Sequence, residues 1–301
     1  MDSAPHTPIP AWLARLYPFT PQSFTTAGGA KMSYLDEGPR SDEAVLMLHG
    51  NPTWSFYYRN LVQAVSPKLR CIVPDHIGMG LSEKPQNYDY TLATRIADIE
   101  ALVTSLGLRR VHLVVHDWGG AIGFGFATRH RDLIGRIVIL NTAAFLAKRI
   151  PLRIQLCRIP GLGPLIVRGL NGFAGPATWM AMHLRSLTRH EKRGYLFPYD
   201  SWDHRVAVDA FVRDIPLRRS HPSWATLDEI GNDLDELAKQ PIMIVWGGRD
   251  FCFNYDFLNR WVKIFPNADL RPMAQAGHYV LEDAGPKAIT PIEQFLISEI
   301  K

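Results

Sequence analysis

From about residue 24 onward, short apolar runs alternate with longer stretches whose apolar residues recur every three or four positions. "EAVLML", "RCIVP", "VHLVV", "GRIVIL" and "PIMIVW" are continuous apolar runs ending at turns, the signature of strands buried on both faces. "SFTT" and "KMSYLDEG" flank Gly28-Gly29 and read as a hairpin. "TLATRIADIEALVTSLGL" carries Leu92, Ile96, Ile99, Leu102, Val103 and Leu106 at helical steps, with Thr91 placed to cap its start and Gly107 its end. "WSFYYRNLVQAV" reads as another helix, "ADLRPMAQAGH" as a late strand, and "AITPIEQFLISEI" as the closing helix.

The rhythm breaks at Asn141. Residues 143–219 show no strand pattern, only helix-periodic apolar pieces interrupted by Pro and Gly. Alternating strands and helices predict a mostly parallel sheet covered on both faces, with ligand chemistry at the carboxyl ends of its strands. Residues 1–142 and 220–301 are therefore expected to form one α/β core. Residues 143–219, inserted after one of those strand ends, are expected to form a helical cap over the site.

The chain has 301 residues, 47% of them hydrophobic, enough for a substantial core. Charged residues make up 21%, and the net charge of +4 is too mild and scattered for a nucleic-acid arm. Cys71, Cys157 and Cys252 are odd in number and share no C-x-x-C spacing, which fits reduced thiols in a cytoplasmic protein. No His or Cys cluster has metal-ligand spacing, and no motif calls for a cofactor. The opening "MDSAPHTPIPAWLARLYPF" has an early acid and several prolines and does not read as an export signal. No apolar run reaches the roughly 18 residues of a membrane span.

Polar groups close several strands: His49-Gly50-Asn51, then Asp75-His76, His116-Asp117-Trp118, Arg249-Asp250 and Gly277-His278-Tyr279. "HDWGG" stands where many hydrolases of this layout carry a G-x-S-x-G turn with a nucleophilic serine. A carboxylate at a helix start could be a simple N-cap, but the strand before it and the glycines after it fit a nucleophile turn better. Asp117 is thus the candidate nucleophile. Its charge is present at neutral pH without a base. His278 is the candidate base, free to activate water in a second step, and Asp250 the acid that orients it. The Asn51 amide and the Trp118 indole are candidate donors to a leaving halide or an oxyanion. Carboxylate nucleophiles suit carbon that bears a good leaving group or belongs to a strained ring.

"LHGNPTWSFYYRNLV", "PDHIGMGLSEKP", "VVHDWGGAIG", "WGGRD" and "GHYVLED" together resemble the haloalkane dehalogenase branch of the α/β-hydrolase superfamily. With "LNTAAF", "PYDSW" and "DIPL" included, the chain is more similar still to the cis-β-lactone decarboxylases of bacterial long-chain olefin biosynthesis. The resemblance implies an α/β-hydrolase fold and the roles just given to Asp117, Asp250, His278, Asn51 and Trp118. Some dehalogenases carry the triad acid as a Glu after the strand before the cap; here that position offers Asn141, which favours Asp250. It also implies a long-chain hydrophobic substrate, loss of carbon dioxide to give a cis-alkene, and a β-lactone synthetase among the partners in a large assembly.

Leu156, Ile159, Leu162, Leu165, Ile166, Phe173, Trp179, Met180 and Met182 are candidates to line an apolar channel, although helical core packing explains such residues equally well. An exposed apolar cap face would suit a protein partner or a membrane surface. Haloalkane hydrolysis shares every core residue and is the alternative. Epoxide hydrolysis would need two cap tyrosines, for which Tyr195 and Tyr199 are the weak candidates. A non-catalytic binding protein fits least, because nucleophile and histidine are both present.

Overall fold

The computed structural model describes residues 9–147 and 150–298. Residues 1–8, the start of the stretch read as no export signal, and the end of the closing helix expected to reach Ile300 lie outside the described residues.

Eight strands form one sheet: β1 (Gln22–Thr25), β2 (Lys31–Glu37), β3 (Glu43–Leu48), β4 (Arg70–Pro74), β5 (Arg110–Asp117), β6 (Ile134–Thr142), β7 (Ile242–Gly247) and β8 (Asp269–Met273). Their spatial order is β1-β2-β4-β3-β5-β6-β7-β8. The β1–β2 hairpin joins antiparallel to β4, and every later pairing is parallel. The continuous apolar runs become the central strands, β4, β6 and β7 being buried at every position because helices cover both faces. β8 lies at an edge and is largely exposed, the place where a strand tolerates a proline such as Pro272.

The helix Leu92–Ser105 starts at Thr91, whose side chain accepts from the Thr94 N–H, and Gly107 follows it at φ 64°. "SFYY" forms a 3₁₀ turn that runs into the helix Arg59–Val65. Two longer helices have no counterpart in the sequence reading: Trp224–Asn232, and Tyr255–Ile264 between β7 and β8, which buries Leu258 and Trp261. The three cysteines are free thiols; Cys71 and Cys157 are buried and Cys252 is half-buried.

Among the described residues between Thr142 and Ile242 there is no strand. Leu152–Leu156, Ala174–Met180, Arg189–Leu196 and Val206–Arg213 are the main helices of the first part, and Trp224–Asn232 returns to pack on the helix after β5. The segment is fastened over the carboxyl ends of the strands. The Trp54 indole donates to the Gly194 carbonyl (3.1 Å), the Tyr199 hydroxyl to Thr53 (3.3 Å), and the Tyr279 N–H to Ala181 (3.0 Å). The buried Asp283 carboxylate accepts four backbone N–H groups, from His183, Leu184, Arg185 and Gly277, at 2.7 to 3.1 Å. Beside it, Glu282 takes the Tyr195 hydroxyl (2.9 Å) and the guanidinium groups of Arg59 and Arg185.

The helix Trp118–Arg129 lies close against the sheet because its first turn is glycine. A Cβ on Gly119 would stand 1.9 Å from the Leu48 carbonyl oxygen, and one on Gly120 the same distance from Thr142 Oγ1. The first of these clashes is with backbone, which cannot rotate away. Gly119→Ala is therefore expected to destabilise the protein by about 2–3 kcal/mol through overpacking, read as a lower urea midpoint with an unchanged slope.

Candidate active site

β5 ends on Asp117, whose backbone sits at φ 51°, ψ −126°, a region costly for any residue with a Cβ. This turn lifts the carboxylate to the rim, with the helix Trp118–Arg129 starting behind it. Asp117 Oδ1 accepts the Asn51 backbone N–H at 2.6 Å. That approach needs Gly50, because a Cβ there would meet the same oxygen at 2.1 Å. Thr142 Oγ1 donates to the Asp117 carbonyl from β6.

His278 Nε2 faces Asp117 Oδ2 at 3.7 Å, and its Nδ1–H donates to Asp250 Oδ2 at 2.6 Å. Asp250 in turn accepts the backbone N–H groups of Cys252 (2.6 Å) and Phe253 (3.1 Å) on its other oxygen. Three residues distant in sequence thus form a chain of carboxylate, imidazole and carboxylate. Burial raises the pKa of Asp117, and the nearby His278 and the Asn51 and Trp118 N–H groups offset only part of that rise. For His278, burial alone would lower the pKa, but Asp250 and Asp117 reverse it and leave a net rise.

The other strand-end groups have different surroundings. His49 donates from Nδ1 to the Gly50 carbonyl (2.8 Å) and accepts the His76 N–H at Nε2 (3.1 Å); burial lowers its pKa to about 4, so it is neutral. His76 donates to the His49 carbonyl (3.0 Å), and burial lowers its pKa too. Asp75 accepts the Ser55 and Leu81 N–H groups and lies away from the cavity. His116 donates from Nε2 to the His278 carbonyl (3.0 Å), which braces the loop that carries the imidazole. Asn141 exchanges two hydrogen bonds with Gly247, at 2.7 and 2.9 Å, tying β6 to β7 just before Asp250.

A cavity of about 390 Å³ opens in front of Asp117. Asn51, Trp118 and His278 share its floor, and the Asn51 amide spends one of its two N–H groups on the Val208 carbonyl (3.0 Å). The walls are almost wholly apolar, with Phe145, Ile154, Phe173, Met180, Val212 and Phe253 among them. Of the nine residues expected along a channel, Phe173, Trp179 and Met180 line it. Leu156, Ile159, Leu162 and Leu165 are exposed instead, Ile166 is half-buried, and Met182 belongs to the core. Neither Tyr195, held by Glu282, nor Tyr199, held by Thr53, reaches the lining, so the pair that epoxide opening would need is absent from it. Sequence reasoning missed Arg153, a cationic lining residue that lies over the Phe251 ring at 4.1 Å; a lone arginine in a helix gives no sign of facing a cavity.

A model of the alpha/beta hydrolase fold matches residues 43–285. A cis-3-alkyl-4-alkyloxetan-2-one decarboxylase of Shewanella oneidensis is 44% identical over 290 residues, covering 94% of this chain and 90% of that protein. A protein of the same name from Xanthomonas campestris pv. campestris is 42% identical over 291 residues, covering 93% and 97%. Among solved structures, a haloalkane dehalogenase from Bradyrhizobium elkani superposes with a TM-score of 0.82 at 24% identity, over 92% of this chain and 98% of that one, a likeness of fold.

A buried carboxyl whose pKa is higher in the folded than in the unfolded chain weakens the fold once it ionises: its contribution is lost as pH rises through the folded value. Asp117→Asn removes that charge, and asparagine tolerates positive φ better than most residues. At pH 7 the variant is expected to be inactive yet to melt at or above the wild-type temperature, with a rise on the order of 2 °C by scanning calorimetry. A drop of several degrees would mean that the carboxylate stabilises the fold.

Proposed function

This chain belongs to the alpha/beta hydrolase family, and on that premise we propose that it removes carbon dioxide from long-chain cis-dialkyl β-lactones, leaving cis-alkenes. The observation that carries the reading is the placement of the Asp117 carboxylate, beside His278, Asn51 and Trp118, in a largely apolar cavity. The decarboxylases at 44% and 42% identity support the substrate class. A dialkyl lactone has the matching shape, two hydrocarbon arms around a small polar, strained ring.

In our reading the Asp117 carboxylate attacks C4, the ring carbon bound to the ring oxygen. The C4–O bond breaks, and the ring oxygen leaves as part of a carboxylate still held on C3. Asn51 and Trp118 donate N–H groups to it. Attack from the face opposite the ring oxygen sets the new ester bond antiperiplanar to that carboxylate. The C3–carboxylate bond then supplies the electron pair of the alkene while the bond between C4 and Asp117 breaks. Carbon dioxide departs, Asp117 is a carboxylate again, and the two alkyl groups keep their cis arrangement. No water is consumed and no net proton moves. The dry walls favour the step, because a localised carboxylate is poorly solvated there, whereas in the transition state the charge is spread between the substrate and Asp117. His278, held by Asp250, faces the departing Asp117 with its Nε2 edge. In the competing branch, where water attacks the ester, the neutral ring is the base.

That branch is haloalkane hydrolysis, and the shared floor of Asp117, Asn51, Trp118 and His278 favours it as the second reading. The two differ in what happens to Asp117. Purified protein given a cis-dialkyl β-lactone in ¹⁸O-water is expected to release the cis-alkene and to keep the Asp117 peptide unlabelled after many turnovers. Hydrolysis through an alkyl ester, with water adding at the ester carbonyl, would leave ¹⁸O in that peptide. Asp117→Ala is expected to lower kcat more than about 10³-fold; retained turnover would rule out the ester.

The reading also fixes the sign of the pH dependence. Asp117 must be ionised to attack, and burial raises its pKa. Decarboxylation should therefore be lost as pH falls, at a pH above the ordinary carboxylate range, which a kcat profile measures directly. A rate that stays flat into that ordinary range would contradict an ionised nucleophile in this setting.

A further inference from the structure

Between Ala143 and Leu187 the sequence carries six Lys or Arg residues and no Asp or Glu. At the chain's overall frequency of acids, a stretch of that length would hold about four. The same stretch exposes Leu152 (71%), Leu156, Leu162, Leu165, Leu170 (76%) and Trp179 (63%). So many large apolar side chains in one segment exceed the scattered single residues of an ordinary surface.

The cavity and this surface share the same short helices. Leu152 and Leu156 are exposed, while Arg153 and Ile154 between them line the cavity. Trp179 does both. A single helical turn therefore separates the apolar cavity from the apolar exterior, with Arg153 and Trp179 at the boundary. Of the four described cations here, Arg185 is paired with Glu191 and Glu282, and the other three make weaker contacts. Arg153 lies on Phe251 and reaches Met180 Sδ at 3.7 Å, and Arg158 donates to the Val212 carbonyl at 2.7 Å. Arg168 donates to the Trp202 carbonyl (3.1 Å) and Gln86 (2.7 Å), and its only acidic partner among the described residues, Asp203 at 3.5 Å, is well exposed, so that pair is weak.

We propose that this face docks on an anionic phospholipid bilayer. Exposed leucines would enter the boundary between headgroups and acyl chains, Trp179 would sit at headgroup level, and the arginines would meet lipid phosphates. Charge decides against a second copy of the chain on the same face, which would set cation against cation. Docked this way, the cavity mouth opens at the depth where a long-chain molecule resides. That the bilayer delivers the substrate rests on the β-lactone reading; the docking itself does not.

Flotation of the full chain with vesicles tests it without any substrate. Equal parts of phosphatidylglycerol and phosphatidylcholine are expected to carry the protein upward. Pure phosphatidylcholine, or about 0.5 M NaCl, should weaken binding at least tenfold by removing or screening the charge. The combined variant Leu152→Ser, Leu165→Ser, Leu170→Ser should lose binding by about tenfold or more, with its melting temperature and its turnover of detergent-dispersed lactone unchanged. No flotation with the anionic vesicles, or a variant that floats as well as the parent, would overturn the proposal. So would sedimentation showing a stable dimer that the same three substitutions dissociate, because the face would then belong to a second copy.

Discussion

A carboxylate held at φ 51° stays there only if its neighbours leave it no alternative. Here they approach from three sides. Gly119 and Gly120 let the following helix touch β3 and β6, Gly50 brings an N–H group onto the carboxylate, and Thr142 fastens its carbonyl. Each contact is possible only because a side chain is missing or very short. The glycines that make the turn tight also make the placement of this carboxylate precise, since the strain is borne by packing rather than by flexibility.

The electrostatics of the site follow from the same enclosure. Burying two aspartates around one imidazole would be costly if each charge stood alone. Asp250 is satisfied by two backbone N–H groups as well as by His278, and Asp117 by the Asn51 N–H. The remaining histidines at the strand ends are kept neutral and committed to backbone partners, so among the described residues the one imidazole facing Asp117 is that of His278. Asn141, uncharged, ties two strands together where a further acid would have added repulsion.

The sheet was legible in the sequence because parallel strands covered on both faces must be apolar throughout, and because hairpin glycines and capping residues act locally. The strand-end residues were legible for a related reason, since the fold gathers the ends of β3, β5 and β7 at one rim. The cavity wall was not. Helical periodicity marks an apolar stripe at Leu156, Ile159 and Leu162 but does not say whether it faces core, cavity or solvent, and Pro160, Gly161 and Gly163 break the stripe before it can be followed. The helix Tyr255–Ile264 escaped notice because its buried side rests on few residues, with Trp261 stacked on Phe124. Arg153 gives no local signal at all; its place depends on Phe251, nearly a hundred residues away.

The Asp283 carboxylate gathers N–H groups from both sides of the molecule: three from the 183–185 turn of the helical segment and one from Gly277, the residue before His278. The helical segment and the histidine loop therefore share this anchor. An enzyme built this way is not modular at that joint. A segment transplanted from a relative would reshape the cavity as intended only if it also brought a turn able to present three N–H groups to that carboxylate. Without them, a redesign aimed at substrate choice would also disturb the placement of the imidazole.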